Sequence, residues 1–356
     1  MELTVDFAAP ADDAGIRGLL RRQAMPGRIS LAFPRDPDFS LGCAITGDDY
    51  KIVVARAADE IVGVACRSVR HVFINGRPER LGYLGQLRVD ERFRGRFLVS
   101  RGFSLLAQLD RQDPVPAYLA SIVDGNHQAT GVLVQRRRRS FPQFREIAAF
   151  RTLAIPLTRR FAPPSPRGEG RGEGIMAGSL DQVPEIVAFL RTEGSRRQLF
   201  PEWTEEALRN LASFGLKIED IRVARRGGSI VGVLGLWDQS AYKQAIVRGY
   251  SGWMRIAKPF LPRVGEEIRS AYASLICATT PDVFASLLRE IYSLASARRF
   301  DYLLVGLDAR DPLLDVARAY SHIAYPSRLY LASWSNGGHF YEQLDRRPIY
   351  VDIATL

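Results

Sequence analysis

Two short blocks recur at one fixed spacing along this chain, and that spacing constrains the fold more than any other feature. Val54-Ala55-Arg56 returns as Val223-Ala224-Arg225, and Ile61-Val62-Gly63-Val64 returns as Ile230-Val231-Gly232-Val233, with the same gap between the blocks. Identity held at one long offset marks an internal duplication. Both copies read as β-hairpins: a β-branched strand, a turn (57–60, or 226–229 with its two glycines), then a second β-branched strand. Asp12 and Asp181 share the offset, and each precedes an amphipathic run, so each is expected to cap a helix.

A length of 356 residues suits two domains, each large enough to bury a core without disulfides. The stretch 161–174, FAPPSPRGEGRGEG, mixes prolines, glycines and alternating charges with no apolar periodicity, the composition of a solvated linker. The expected division is therefore 1–160, a linker at 161–175, and 176–356. Within the first half, periodicity predicts a strand at 83–89, a helix at 98–112, a strand at 117–123 and a helix at 126–134. The second half predicts a strand at 273–278, a helix at 282–297, a strand at 302–307 and a helix at 313–320. A hairpin followed by alternating strands and helices implies an α/β (α+β) protein with a mixed sheet in each half.

Composition narrows the function classes. The start is acidic and lacks a basic-then-apolar leader, and no apolar run reaches the ~20 residues of a membrane span, which makes the cytoplasm the expected location. Cys43, Cys66 and Cys277 form no CxxC pair, and His71, His127, His322 and His339 show no ligand spacing, so no metal site is expected. The net charge of +10 rests almost wholly on arginine. No interleaved aromatic-basic motif accompanies it, and nucleic-acid binding ranks last. The basic run 136–139 reads as the solvated end of a helix. Trp237, Trp253, Trp334 and His339 are weighed as cleft residues and read as core aromatics or surface groups.

The chemically informative stretch is LRVDERFRGRFLVSRGFSLL, from Leu87 to Leu106. An apolar strand ends, an Arg/Gly turn follows, and an amphipathic helix begins. A helix N-terminus offers unpaired amides and partial positive charge; Gly95 permits close backbone approach, and Arg92, Arg94, Arg96 and Arg101 attract phosphate.

This order of elements, with its Arg-Gly turn, resembles the GNAT family of acyl-CoA-dependent N-acyltransferases, and the chain resembles a tandem pair of such domains with a degenerate second half. The resemblance implies that the turn Arg94-Gly95-Arg96-Phe97-Leu98-Val99 holds the coenzyme A pyrophosphate. Here Phe97 and Val99 replace two of the three small residues of the family's turn. It further implies that Leu87 and Val89 line the pantetheine arm, and that Asn126 with Ala129 opens the family's Asn-x-x-Ala helix.

The family's strand carboxylate and helix tyrosine are both missing: Gly85 and Gln86 stand near the first position and Leu133 near the second. Tyr83 and Asp124 are the candidate substitutes, beside Tyr118 and His127. The second half offers Thr279-Thr280-Pro281-Asp282 in place of the Arg/Gly turn, with Asp282 expected as the helix cap, which disfavours phosphate there. The resemblance implies an acyl-CoA-dependent N-acyltransferase with acetyl-CoA as default donor and a small-molecule or peptide amine as acceptor. The alternative is a non-catalytic binding or regulatory protein of the same fold.

Overall fold

A computed structural model describes residues 2–25, 27, 29–135, 141–157, 174–252, 263–334 and 340–356. Most of the expected linker, the run 136–139, Trp253 and His339 lie outside them. The chain runs β1 (Leu3–Phe7), α1 (Asp13–Arg22), β2 (Ile29–Ala32), α2 (Phe39–Ala44), β3 (Asp49–Ala57), β4 (Glu60–Ile74), β5 (Arg77–Val89), α3 (Leu98–Gln112), β6 (Tyr118–Val123), α4 (His127–Leu133) and β7 (Gln143–Pro156). It continues through β8 (Gly174–Ala177), α5 (Val183–Gly194), α6 (Glu205–Asn210), β9 (Ile221–Arg226), β10 (Ser229–Asp238), β11 (Ile246–Tyr250) and β12 (Ser270–Ala278). The last elements are α7 (Pro281–Ala297), β13 (Tyr302–Asp308), α8 (Leu313–Arg318), β14 (Ile323–Ser333) and α9 (Phe340–Gln343).

The repeated blocks form the hairpins β3–β4 and β9–β10. Gly227 and Gly228 take φ of +57° and +85° in the second turn, the left-handed pair that a two-residue hairpin favours. Tandem copies of one plan now meet in a single mixed sheet of order β1-β3-β4-β5-β6-β14-β7-β13-β12-β10-β9-β8. Read inward from either edge, the succession is the same. At the centre the copies trade places: β14 pairs with β6, and β7 pairs with β13, both antiparallel. The final strand of each half thus completes the sheet of the other.

The helices bury the faces that periodicity predicted. In α3, Leu98, Phe103 and Leu106 point inward, the last two packing with Val53 and Phe141. Each such side chain contributes roughly 1.5–3 kcal/mol by leaving water. Trp237 is wholly buried and its indole N–H donates to the Phe214 carbonyl at 2.6 Å.

Three helix starts differ from expectation. Asp12 precedes α1 but caps it with no side-chain hydrogen bond, bonding Arg56 instead. Ahead of α5, Ser179 and Gln182 make a reciprocal capping box around a 3₁₀ turn, so Asp181 is not the cap. At α7 the Thr280 hydroxyl accepts from the Val283 amide at 3.3 Å, which places Asp282 inside the first turn. At the starts leading into α5 and α7 a hydroxyl or amide with shorter reach takes the capping role expected of the carboxylate.

Candidate active site

β5 pairs with β6 in parallel only at Gly82–Tyr118 and Tyr83–Leu119. Beyond those pairs a cavity of about 480 Å³ is lined by residues 84–89 of β5 and 120–123 of β6. On its other edge β5 bulges. Gly85 stands opposite Cys66 and Arg88 opposite Val64, so Gln86 and Leu87 share Ala65 as partner, with Gln86 at φ +59°. Bulged residues fall out of the ladder, and both Gln86 and Leu87 line the cavity.

α3 starts beside this gap, with Leu98, Val99 and Gly102 lining the cavity. Its first position outside the helix is Phe97, left-handed at φ +61°, and no side chain caps the end. Gly95 is also left-handed, at φ +82°. The turn therefore takes a path that glycine tolerates and phenylalanine must be held in, with the Phe97 ring 63% exposed. Of the sequence-predicted coenzyme contacts, Leu87, Val89, Leu98, Val99 and Asn126 converge on the cavity. Arg94 pairs with Glu91 at 3.4 Å and Arg96 stacks over Phe93, both outside the lining. The Asn126 carbonyl oxygen accepts the Ala129 amide at 3.0 Å and so caps α4.

The candidate acid-base residues separate. Tyr83 lines the cavity, and burial pushes its phenol up to about 12. Its ring lies across Gly85: a Cβ there would meet the ring edge at 2.4 Å and the hydroxyl at 3.0 Å. The space beside the strand that a longer side chain at 85 would need is filled by the Tyr83 phenol. Asp124 points elsewhere, bound to Arg328 at 3.0 Å and absent from the cavity lining. Tyr118 is buried, its hydroxyl donating to Asp110 at 2.6 Å, where it serves the framework.

A group of cations that the sequence does not signal lines the same cavity. Arg35, from the loop between β2 and α2, is 5% exposed and lines it, as do Arg88, Lys243 and Tyr272. Arg88 donates to the neighbouring Leu87 carbonyl at 2.7 Å. Lys243 reaches the Leu356 carbonyl at 3.3 Å and sits 4.5 Å from the centre of the Tyr272 ring. Burial, then repulsion from Arg35, lowers the Arg88 guanidinium to about 10 and holds the Lys243 ammonium well below its usual range. Among the described lining residues the carboxylate side chain is Glu267, which is exposed. No group of three His, Cys, Asp or Glu side chains suited to a metal occurs among the described residues.

No family model and no curated protein matches the chain in sequence. Solved structures do match in shape. N-myristoyltransferase of Saccharomyces cerevisiae with bound myristoyl-CoA superposes with a TM-score of 0.62 at 10% identity, over 93% of this chain and 82% of that one. A GCN5-related N-acetyltransferase from Sphaerobacter thermophilus superposes with a TM-score of 0.58 at 14% identity, over 99% and 98%. The chain has the GCN5-related N-acetyltransferase fold.

Within that fold the two halves treat their bulges differently. In the second half β12 bulges at the matching place: Ser274 pairs with Gly235 and Cys277 with Val233, leaving Leu275 at φ +54° and Ile276 over Leu234. There the Asp352 carboxylate accepts the Leu275 amide at 2.9 Å, and the Tyr350 hydroxyl accepts the Ile276 amide at 3.0 Å. Ser274 also donates to Asp352. The bulge amides that border an open cavity in the first acetyltransferase-like half are bound by oxygen atoms of the chain itself in the second. With Thr280 capping α7 as well, both the bulge of β12 and the start of α7 are occupied by groups of the chain itself.

Proposed function

We propose that the chain is an acyl-CoA-dependent N-acyltransferase whose transfer site lies in the first half, with the second half completing the acceptor side of the cavity. The observation that carries this reading is the contrast between the bulges. Amides at Leu275 and Ile276 already bind a carboxylate and a phenol oxygen, so the same backbone geometry at Gln86 and Leu87 is suited to an oxygen that gains negative charge. A thioester carbonyl under attack by an amine supplies such an oxygen.

Roles then follow from placement. Leu87 and Val89 line the pantetheine arm, and the uncapped start of α3 at Phe97, Leu98 and Val99 receives the pyrophosphate, with Arg94 and Arg96 adding long-range attraction. The acceptor amine enters from the Arg35 side. Lys243, depressed by burial and by Arg35, takes the ammonium proton, and the surrounding cations themselves disfavour a charged amine. The nitrogen lone pair attacks the carbonyl carbon, the carbon–sulfur bond breaks, and the Tyr83 phenol gives its proton to the departing thiolate. Acetyl-CoA is the default donor; the apolar wall of Val53, Phe103, Leu106 and Phe144 makes longer acyl chains the next to try.

The test is thermal unfolding with saturating coenzyme A, acetyl-CoA and a longer acyl-CoA. A ligand that binds only the native state adds ~2.7 kcal/mol at a hundredfold excess over its Kd. Stabilisation that is reduced in Arg94→Ala/Arg96→Ala and abolished in Val99→Asp supports the site; no stabilisation by any donor removes it. Stabilisation without thiol release across an amine panel marks the non-catalytic alternative.

A further inference from the structure

Arg35 is the outlier of the cavity. It is 5% exposed and lines the cavity, and among the described residues its guanidinium has no hydrogen bond and no ion pair. A charge taken out of water without a partner is strongly unfavourable, and proteins retain one only where something compensates it. The chain also works to keep Arg35 there. Its backbone is left-handed at φ +63°, which a non-glycine residue adopts only when the surroundings impose it. The next residue, Asp36, is gripped from two sides. Arg17 pairs with its carboxylate at 2.6 Å, and Gln244 exchanges two hydrogen bonds with its backbone, at 3.0 and 2.9 Å. Gly42 of α2 gives the guanidinium room, since a Cβ there would come within 3.1 Å of Nη1.

Arg88 lies close enough to Arg35 for the two to repel, and its own hydrogen bond uses one donor on the adjacent carbonyl. Two guanidinium groups facing one space, with the Glu267 carboxylate out at the exposed edge and the Leu356 main-chain oxygen taken up by Lys243, form a receptor for an anion. The planar fork of arginine matches a carboxylate in two parallel hydrogen bonds. The cavity, about 480 Å³ and shared with the pantetheine arm, leaves space for a compact partner.

We propose that the acceptor is a small amine that also carries a carboxylate, of which an amino acid is the simplest class, with Arg35 and Arg88 binding the carboxylate. The amine part of this assignment rests on the transferase reading; the anion part does not. Holding the carboxylate at Arg35 sets the amine toward Lys243 and the bulge, and it neutralises positive charge on the cavity lining.

The experiment uses the full chain and ligand pairs that differ in the carboxylate alone: leucine against isopentylamine, and phenylalanine against phenethylamine, with O-phosphoethanolamine as a phosphate arm. Thermal unfolding and titration calorimetry are expected to show carboxylate amines binding roughly 10- to 100-fold tighter than their decarboxylated partners. Arg35→Met should erase that preference while raising the melting temperature of the ligand-free protein by roughly 2–4 °C, because a largely buried cation with no ion-pair partner is gone. Arg88→Leu should weaken the same ligands. Equal binding of the two members of each pair, no binding of any carboxylate, or a drop in the melting temperature of Arg35→Met would overturn the proposal. Tighter binding of the phosphate arm would overturn the carboxylate assignment. A coenzyme A shift without a carboxylate shift sinks this inference and spares the transferase reading; a carboxylate shift without a coenzyme A shift does the reverse.

Discussion

The Asp352 carboxylate accepts the amide of Leu275 at 2.9 Å and lies beneath Tyr350, whose hydroxyl donates to it at 3.2 Å. Asp352 is 1% exposed, and the Ala354 amide bonds its other oxygen at 3.0 Å. A single side chain thus ties the 349–356 segment to the bulge of β12. Asp352→Ala leaves several buried donors unmet at once and is expected to cost roughly 3 kcal/mol, read as a lower denaturant midpoint at unchanged slope.

Lys243 makes stability depend on pH. Its ammonium pKa is held well below the ordinary value by burial and by Arg35, so between that depressed value and the usual ~10.4 the unfolded chain binds more protons than the native one. Stability contributed by this group is therefore gained as pH rises through that window and lost as pH falls. Lys243→Met should flatten the rise of melting temperature between about pH 7 and 9.5, and should remove the alkaline-rising limb of the transfer rate; an unchanged profile would exclude Lys243 as proton acceptor.

Tyr83 and Gly85 should separate chemistry from packing. Tyr83→Phe keeps the ring that covers Gly85 and removes the hydroxyl alone, so the melting temperature should hold while kcat falls roughly 100-fold. Gly85→Ala drives a methyl group against the ring at 2.4 Å and should lower stability by roughly 1–3 kcal/mol. Circular-dichroism melts beside a thiol-release assay tell these outcomes apart.

The traded strands predict how the chain behaves in pieces. Residues 1–157 made alone would hold β7 with no β13 or β14 to flank it, and residues 174–356 alone would hold β14 with no β6 or β7. Each fragment is expected to be insoluble or loosely folded by itself, and the two produced together to associate into one particle that melts in a single transition. Two fragments that fold separately would contradict the pairing.

Local features were legible and long-range ones were not. α3 spans 98–112 as its apolar period predicts, and both hairpins sit on the repeated blocks. The Arg/Gly turn pointed to the cavity through Leu98, Val99 and Asn126, although the arginines that drew attention to it pair with Glu91 or stack on Phe93. β7 and β14 escaped notice because a strand whose partners lie some 180 positions away leaves no mark at short range, as in Phe150 against Ser327. Arg35 was invisible for a related reason. One arginine in the loop FPRDPD looks like a solvated charge, and only long-range contacts, with Gln244 holding Asp36, and its packing on Gly42 of α2 place it inside.

The exchange of β7 and β14 has a consequence for how such a chain can change over time. Thr152 and Ala154 of β7 and Ile323, Tyr325 and Ser327 of β14 all line the cavity, so its wall is made from strands of both halves. The second half, whose own bulge and α7 start are taken up by Asp352 and Thr280, still supplies part of that wall. A change in either half that unseats β7 or β14 therefore alters the cavity that both help to wall.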